Sequence, residues 1–111
     1  MSEKKAKILV VDDEKEYRKV YKRLLKREGY EVVTAGNAQK ALNILEKRRI
    51  NLVLLDLILP KVNGIDLLKE IKKDYGSSLE VIMVTGYGSI ESAVEAMKCG
   101  AFGYFVKSHD P

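Results

Sequence analysis

Short apolar runs alternate along this chain with longer stretches whose apolar residues recur every three or four positions. Residues 7–12, KILVVD, are the first run. An apolar run of this length without alternation reads as a strand buried on both faces of a parallel sheet. Residues 14–28 carry Tyr17, Val20, Tyr21, Leu24 and Leu25 at helical spacing. They predict an amphipathic helix with its many Lys and Arg side chains on the wet face, and Gly29 stands where a C-terminal cap belongs. Tyr30 to Ala35 is a second, shorter strand closed by Gly36. Asn37 is placed to cap a helix whose apolar side is Ala38, Ala41, Leu42 and Leu45.

The stretch from Leu52 to Pro60, LVLLDLILP, has eight apolar residues and one acid, Asp56. A buried strand fits; a core helix would too, but Pro60 ends the run before helical length is reached. A carboxylate inside such a run is costly to bury unless something pairs with it. An acid capping a turn and an acid in a functional site are both open at this point. After the loop 61–64 comes a helix with Ile65, Leu68 and Ile71 on one face, and Gly76–Ser78 make a turn. Residues 79–84 are a fourth strand, and Thr85–Gly86–Tyr87–Gly88 is a glycine-rich loop. Ser89 then caps a helix expected to pack Ile90, Ala93, Val94 and Met97, with Gly100 as its stop. Ala101 to Val106 is a fifth strand, and Lys107 follows it directly.

Strands and helices alternating at this pace imply right-handed crossovers, a parallel sheet and helices on both faces, the α/β class. The chain reaches Pro111 where the pattern calls for a fifth helix. One sheet face is therefore expected to lack cover. The preferred reading is an N-terminal fragment of a longer protein; a homodimer that covers the face is the other option.

Composition narrows this only a little. With 111 residues, the chain is one domain of ordinary soluble composition. No apolar run approaches the ~20 residues of a membrane span, and Asp12 and Asp13 cut off the N-terminal apolar run too early for a signal peptide. The single cysteine, Cys99, excludes an internal disulfide and suits a reducing, cytoplasmic setting. It reads as a helix-end packing residue. The net charge of +4 is spread thinly, so direct nucleic-acid binding by this domain is not expected.

The unusual residues sit at strand ends. Asp12 and Asp13 close the first strand, Asp56 lies at the end of the third, Thr85 follows the fourth and Lys107 the fifth. Each has an ordinary explanation as a cap, turn residue or solvated charge. Together they occupy the carboxyl ends of four strands, where open parallel α/β sheets bind ligands. Three carboxylates in one small site repel unless a cation sits among them. An all-oxygen set with few protein ligands suits Mg²⁺, whereas His109 and Cys99 are too isolated for zinc. One carboxylate can then attack phosphorus, with Thr85 and Lys107 completing the shell around the phosphoryl oxygens.

With these residues in view, the motifs VVDDE (10–14), LLDLILPKVNG (54–64), VTGYGS (84–89) and GAFGYFVK (100–107) resemble the receiver domain of bacterial two-component response regulators. The resemblance runs from Lys7 to about Asp110. It implies a flavodoxin-like, doubly wound five-stranded sheet of order 2-1-3-4-5, an order known for this family. It further implies that Asp56 is the phosphoacceptor for a sensor histidine kinase. Asp13 would bind Mg²⁺ directly and Asp12 through water, with Asp56 itself and the backbone carbonyl of Ile58 as further ligands. Thr85 and Lys107 would turn toward the phosphoryl group, and Tyr104 would be the aromatic that rotates with Thr85. The segment from Thr85 to Lys107 is most similar to receivers of sigma-54-dependent transcriptional activators, implying a transcriptional output domain. A receiver catalyses only its own phosphorylation and dephosphorylation. One departure is Ser108, where the family usually has proline after the lysine.

Two other functions stay open on the residues. A pseudo-receiver that only docks is suggested by Ser108, and opposed by the presence of all five site residues. An Mg²⁺-dependent aspartyl phosphohydrolase would want a second acid two residues after the nucleophile, where this chain has Ile58. A dinucleotide site is disfavoured, because Asp12–Asp13–Glu14 occupies the turn after the first strand and would repel a pyrophosphate.

Overall fold

The computed structural model describes residues 5–107. Seven strands and four α-helices follow in the order β1 (Lys7–Val11), α1 (Lys15–Arg27), β2 (Glu31–Ala35), α2 (Ala38–Lys47), β3 (Leu52–Leu55), β4 (Ile58–Leu59), β5 (Val62–Asn63), α3 (Gly64–Tyr75), β6 (Glu80–Thr85), α4 (Ile90–Lys98) and β7 (Gly103–Val106). Five strands form one parallel sheet in the order β2-β1-β3-β6-β7. This is the flavodoxin-like order expected from the sequence, with β6 and β7 as its fourth and fifth strands.

The two extra strands correct the reading of Leu52–Pro60 as one element. The sheet strand stops at Leu55. Asp56 then accepts a hydrogen bond from the Ile58 N–H, which turns the chain away from the sheet. Ile58–Leu59 pairs antiparallel with Val62–Asn63. Pro60 sets one corner of that hairpin turn, and Lys61 takes the other at φ 65°, a region unusual outside glycine.

The main core lies on the face covered by α2, α3 and α4. Leu9, Val11, Val53, Leu55, Val81 and Met83 from the strands meet Ala41, Leu45, Leu68, Ile71 and Ala96 from the helices. Local chemistry starts each helix where the sequence predicts. The Asn37 side chain caps α2 through the Lys40 N–H, Asn63 caps α3 through Ile65, and Ser89 with Ser92 forms a reciprocal capping box at α4. Gly29 and Gly100 follow α1 and α4 with φ of 96° and 101°, the left-handed geometry that helix ends ask of glycine.

Two predicted faces differ. In α4, Ile90, Val94 and Met97 are exposed, and only Ala96 is buried. The helix turns its small residues inward, with Ser92, Ala93 and Cys99 half-buried beside Ala96. Its rotation is set by Ala96 entering the core and by a Ser92–Tyr104 hydrogen bond. In α1 no residue is fully buried; Tyr21 and Leu25 pack on Ile8, Val10 and Val32, while Val20 and Leu24 remain exposed. On that face Leu54 packs beside Ile8, Val10 and Val32, while Ile82 and Val84 are half-exposed and Phe105 is exposed. The Lys107–Ser108 bond, Ser108 and His109 lie outside the described residues.

Candidate functional site

Sheet hydrogen bonding delivers the candidate residues to one end of the molecule. The first residue beyond each strand continues the ladder: the Asp12 N–H donates to Ala35 O, the Asp56 N–H to Val11 O, and the Lys107 N–H to Thr85 O. Each such residue is therefore fixed by its neighbour strand rather than by its own loop. Asp12, Asp56, Thr85 and Lys107 are the four buried polar or charged residues among those described, and all stand at this edge. Buried polar groups persist only when paired, so their clustering points to a built site.

Lys107 Nζ lies 2.7 Å from Asp12 Oδ2, 3.1 Å from Asp56 Oδ2 and 3.8 Å from Glu14 Oε1. The two aspartates are held alike. Each gives one oxygen to the ammonium, and the other accepts a backbone N–H two residues on: Glu14 at 2.9 Å for Asp12, Ile58 at 3.3 Å for Asp56. Arg18 Nη1 donates to the Asp12 carbonyl at 2.8 Å and ties the turn to α1. Behind Asp56 the chain is crowded. A Cβ on Gly64 would stand 2.2 Å from the Asp56 carbonyl oxygen, so the start of α3 can approach only as glycine.

Burial pushes the Asp12 carboxyl above its ordinary range, against the pull of the Lys107 hydrogen bond, with Asp56 adding to the rise. Burial alone would lower the Lys107 ammonium, but hydrogen bonds to Asp12 and Asp56 outweigh it and leave it raised. One cation thus serves two buried acids, and Asp13 and Glu14 add two exposed carboxylates. Ligand oxygens of Asp12, Asp13, Glu14 and Asp56 can all lie within 4.8 Å of one another. Four carboxylates against one ammonium leave an excess of negative charge, and the donors are all hard oxygens. That set fits a divalent cation of the magnesium or calcium type. A cleft of about 310 Å³, lined by Asp13, Glu14, Asp56, Ile58 and Tyr87, opens the cluster to solvent.

Thr85 is fully buried, but its hydroxyl accepts the Tyr87 N–H at 3.2 Å. The hydroxyl is turned into its own loop, and among the described residues no hydrogen bond joins it to Asp56 or Lys107. Tyr104 likewise points away from the cluster: its hydroxyl is 2.6 Å from Ser92 Oγ, and it lies beside Gly88, where a Cβ would meet the hydroxyl oxygen at 3.0 Å and a ring carbon at 3.2 Å. Thus Asp12, Asp13, Asp56 and Lys107 converge, Ile58 lines the cleft, and Thr85 and Tyr104 stand one layer back. Sequence reasoning passed over Glu14, Tyr17, Gly64 and Ser92. Glu14 directly follows the Asp pair, and Ser92 stands three residues after the capping Ser89, so both carried a local signal. Tyr17 was read only as an apolar helix position, yet Lys107 Nζ lies 3.9 Å from its ring centroid.

The chain belongs to the response regulator receiver domain family, whose model matches residues 8–111. Among curated relatives it is 39% identical over 107 residues to a probable transcriptional regulator, ycf27, of Cyanophora paradoxa, covering 96% of this chain and 44% of that one. It is also 39% identical over 110 residues to the transcriptional regulatory protein ZraR of Klebsiella oxytoca, covering 99% and 25%. The chain thus spans less than half the length of these relatives. A CheY-like receiver domain from Methanospirillum hungatei superposes with a TM-score of 0.90 at 37% identity, over 97% of this chain and 86% of that one. A response regulator from Burkholderia pseudomallei, solved with a phosphorylated aspartic acid, a calcium ion and citrate, gives 0.87 at 31% identity, over 95% and 61%. The chain is therefore a signalling module of two-component systems, with transcriptional regulators among its relatives. Among the described residues no helix is long and apolar enough to cross a membrane.

Proposed function

We propose that this domain is a phosphorylation-controlled switch in which Asp56 accepts a phosphoryl group from a phosphohistidine of a sensor histidine kinase. The observation that carries the reading is a buried Asp56 carboxylate, 3.1 Å from an equally buried lysine, at the foot of an acidic cleft open to solvent. A carboxylate held this way is costly for stability alone, which favours a chemical role. The phosphorylated aspartate and calcium ion of the Burkholderia relative lend further support.

In the transfer an Asp56 carboxylate oxygen attacks phosphorus. The P–N bond to the donor imidazole breaks, and its electron pair leaves with the imidazole. Such transition states are loose, so positioning and charge neutralisation supply most of the catalysis. Asp12, Asp13 and Asp56, with the Ile58 carbonyl, would hold Mg²⁺, which when bound offsets charge on the phosphoryl oxygens. Lys107 would pass from its Asp12 and Asp56 pairing to an incoming phosphoryl oxygen. Thr85 would leave the Tyr87 N–H to do the same, and Tyr104 would follow into the space so released, carrying the change to α4 and β7. Ile58, two residues beyond the phosphoacceptor, lines the cleft with a side chain that cannot orient attacking water, so the phosphoryl group is expected to be long-lived. The output is transcription through a further domain of the sigma-54-activator type, with residues 1–111 as the receiver of a longer regulator.

Phosphate-affinity electrophoresis after incubation with acetyl phosphate and Mg²⁺ tests this. A retarded band is expected for the wild type and none for Asp56→Asn. An unretarded wild type, or an equal shift in the variant, would overturn the reading.

A further inference from the structure

An ammonium has three protons to place. In Lys107 two of them face Asp12 Oδ2 at 2.7 Å and Asp56 Oδ2 at 3.1 Å; Glu14 Oε1, at 3.8 Å, is beyond hydrogen-bond range. The remaining contact is the face of Tyr17, with Nζ 3.9 Å from the ring centroid. Lys107 is only 5% exposed, so the ring stands where water would otherwise solvate the amine. The negative face of an aromatic ring attracts a cation, more strongly when both are shielded from water.

Tyr17 is itself braced. Its ring stacks on Tyr21, with centroids 6.1 Å apart and planes at 23°, and Tyr21 packs on Ile8, Val10 and Val32 of the sheet. The ring therefore has a fixed orientation set by the first two turns of α1. Asp12, the nearest partner of Lys107, belongs to the acidic cluster that could hold a metal. Whatever draws the Asp12 carboxylate toward such an ion takes it from the lysine. Tyr17 has no carboxylate, lies outside that cluster and has no such second demand on it.

We propose that Tyr17 is a positioning residue: its ring face holds the Lys107 ammonium beside Asp56 independently of Asp12. This deepens the reading of Asp56 as phosphoacceptor and Lys107 as its cationic partner, and rests on it only for the kinetic consequence. Tyr17 touches neither Asp56 nor a phosphoryl donor in the scheme; it acts through the lysine. The ring face, not the phenol hydroxyl, is the active part, so phenylalanine should replace it and leucine should not.

The test uses the whole 111-residue chain with Tyr17→Phe and Tyr17→Leu. The ε-methylene protons of Lys107 lie near the ring face, so their NMR signals should be shifted upfield in wild type and Tyr17→Phe. In Tyr17→Leu they should return to the ordinary lysine position. The initial rate of Asp56 labelling by acetyl phosphate with Mg²⁺ should fall about tenfold in Tyr17→Leu and stay within about twofold in Tyr17→Phe. Unshifted Lys107 protons in the wild type would overturn the proposal. So would a Tyr17→Leu rate equal to wild type, or a Tyr17→Phe rate as low as that of Tyr17→Leu. A wild type that takes no label overturns the phosphoacceptor reading alone, and the Lys107 signals then decide the role of Tyr17 by themselves.

Discussion

Lys107 Nζ donates to Asp56 Oδ2 at 3.1 Å across a sequence separation of 51 residues. The two come from the ends of β7 and β3, strands that do not touch; β6 lies between them. The lysine side chain spans the end of β6 to reach the acid, passing the carbonyl of Thr85 that accepts its backbone N–H. The contact therefore joins three strands at the end of the sheet where the acidic cluster lies. It also makes the lysine serve as the internal counter-ion of the cluster.

Loss of that counter-ion should be costly. Lys107→Met leaves Asp12 and Asp56 buried and unpaired, and is expected to lower stability by about 3 kcal/mol in metal-free buffer at neutral pH. The folded pKa of Lys107 is raised above its ordinary 10.5. The ammonium thus contributes its full stabilisation below that ordinary value, and loses it as pH rises through the folded value. Urea midpoints of wild type and Lys107→Met should differ at pH 7 and converge in more alkaline buffer. A gap that does not narrow would contradict the pairing.

The same lysine would compete with a bound metal for Asp12. Lys107→Met should therefore bind Mg²⁺ more tightly than wild type, whereas Asp13→Asn, which removes an exposed carboxylate from the cluster, should bind it about tenfold more weakly or worse. Isothermal titration of the three chains gives the order directly. Equal affinities for wild type and Asp13→Asn would remove Asp13 from the ligand set.

Gly64 is needed for space. A Cβ there would stand 2.2 Å from the Asp56 carbonyl oxygen and 2.8 Å from Leu57 Cα, both backbone atoms that cannot swing aside. Gly64→Ala should cost about 2–3 kcal/mol in a denaturant titration and move the amide resonances of Asp56 and Leu57. Little change in either would show that α3 can shift without cost.

Ser92 ties α4 to the last strand. Its hydroxyl meets the Tyr104 hydroxyl at 2.6 Å and also takes part in the capping box with Ser89. Ser92→Ala should destabilise the domain by about 1 kcal/mol through the cap and free the Tyr104 ring. The ring signals of Tyr104 should then approach those of an unrestrained tyrosine. Tyr104→Phe should release the α4 link while sparing the cap, so only the first variant should lower the thermal midpoint appreciably.

Much of this molecule was legible in local patterns. Unalternating apolar runs mark β1, β3 and β6 as parallel strands; β1 is buried on both faces, whereas β3 and β6 alternate buried with half-exposed residues. Asn37 and Ser89 mark helix starts, and Gly29 and Gly100 mark helix ends, because backbone groups there have few alternatives. The convergence of Asp12, Asp13, Asp56 and Lys107 on one candidate site was legible too, since acids and a lysine at the ends of apolar strands are costly to keep without a partner. Other features depend on contacts between elements far apart in sequence. The inward face of α4 is decided by Ala96 and Tyr104, not by the helix's larger apolar side chains. The break of the Leu52–Pro60 run at Asp56 depends on a side-chain hydrogen bond that composition does not reveal. The seating of Lys107 on the Tyr17 ring depends on the lysine side chain reaching across the sheet end from β7, three places from β1, toward the start of α1. Periodicity reports which residues seek burial; only packing in three dimensions decides what they are buried against.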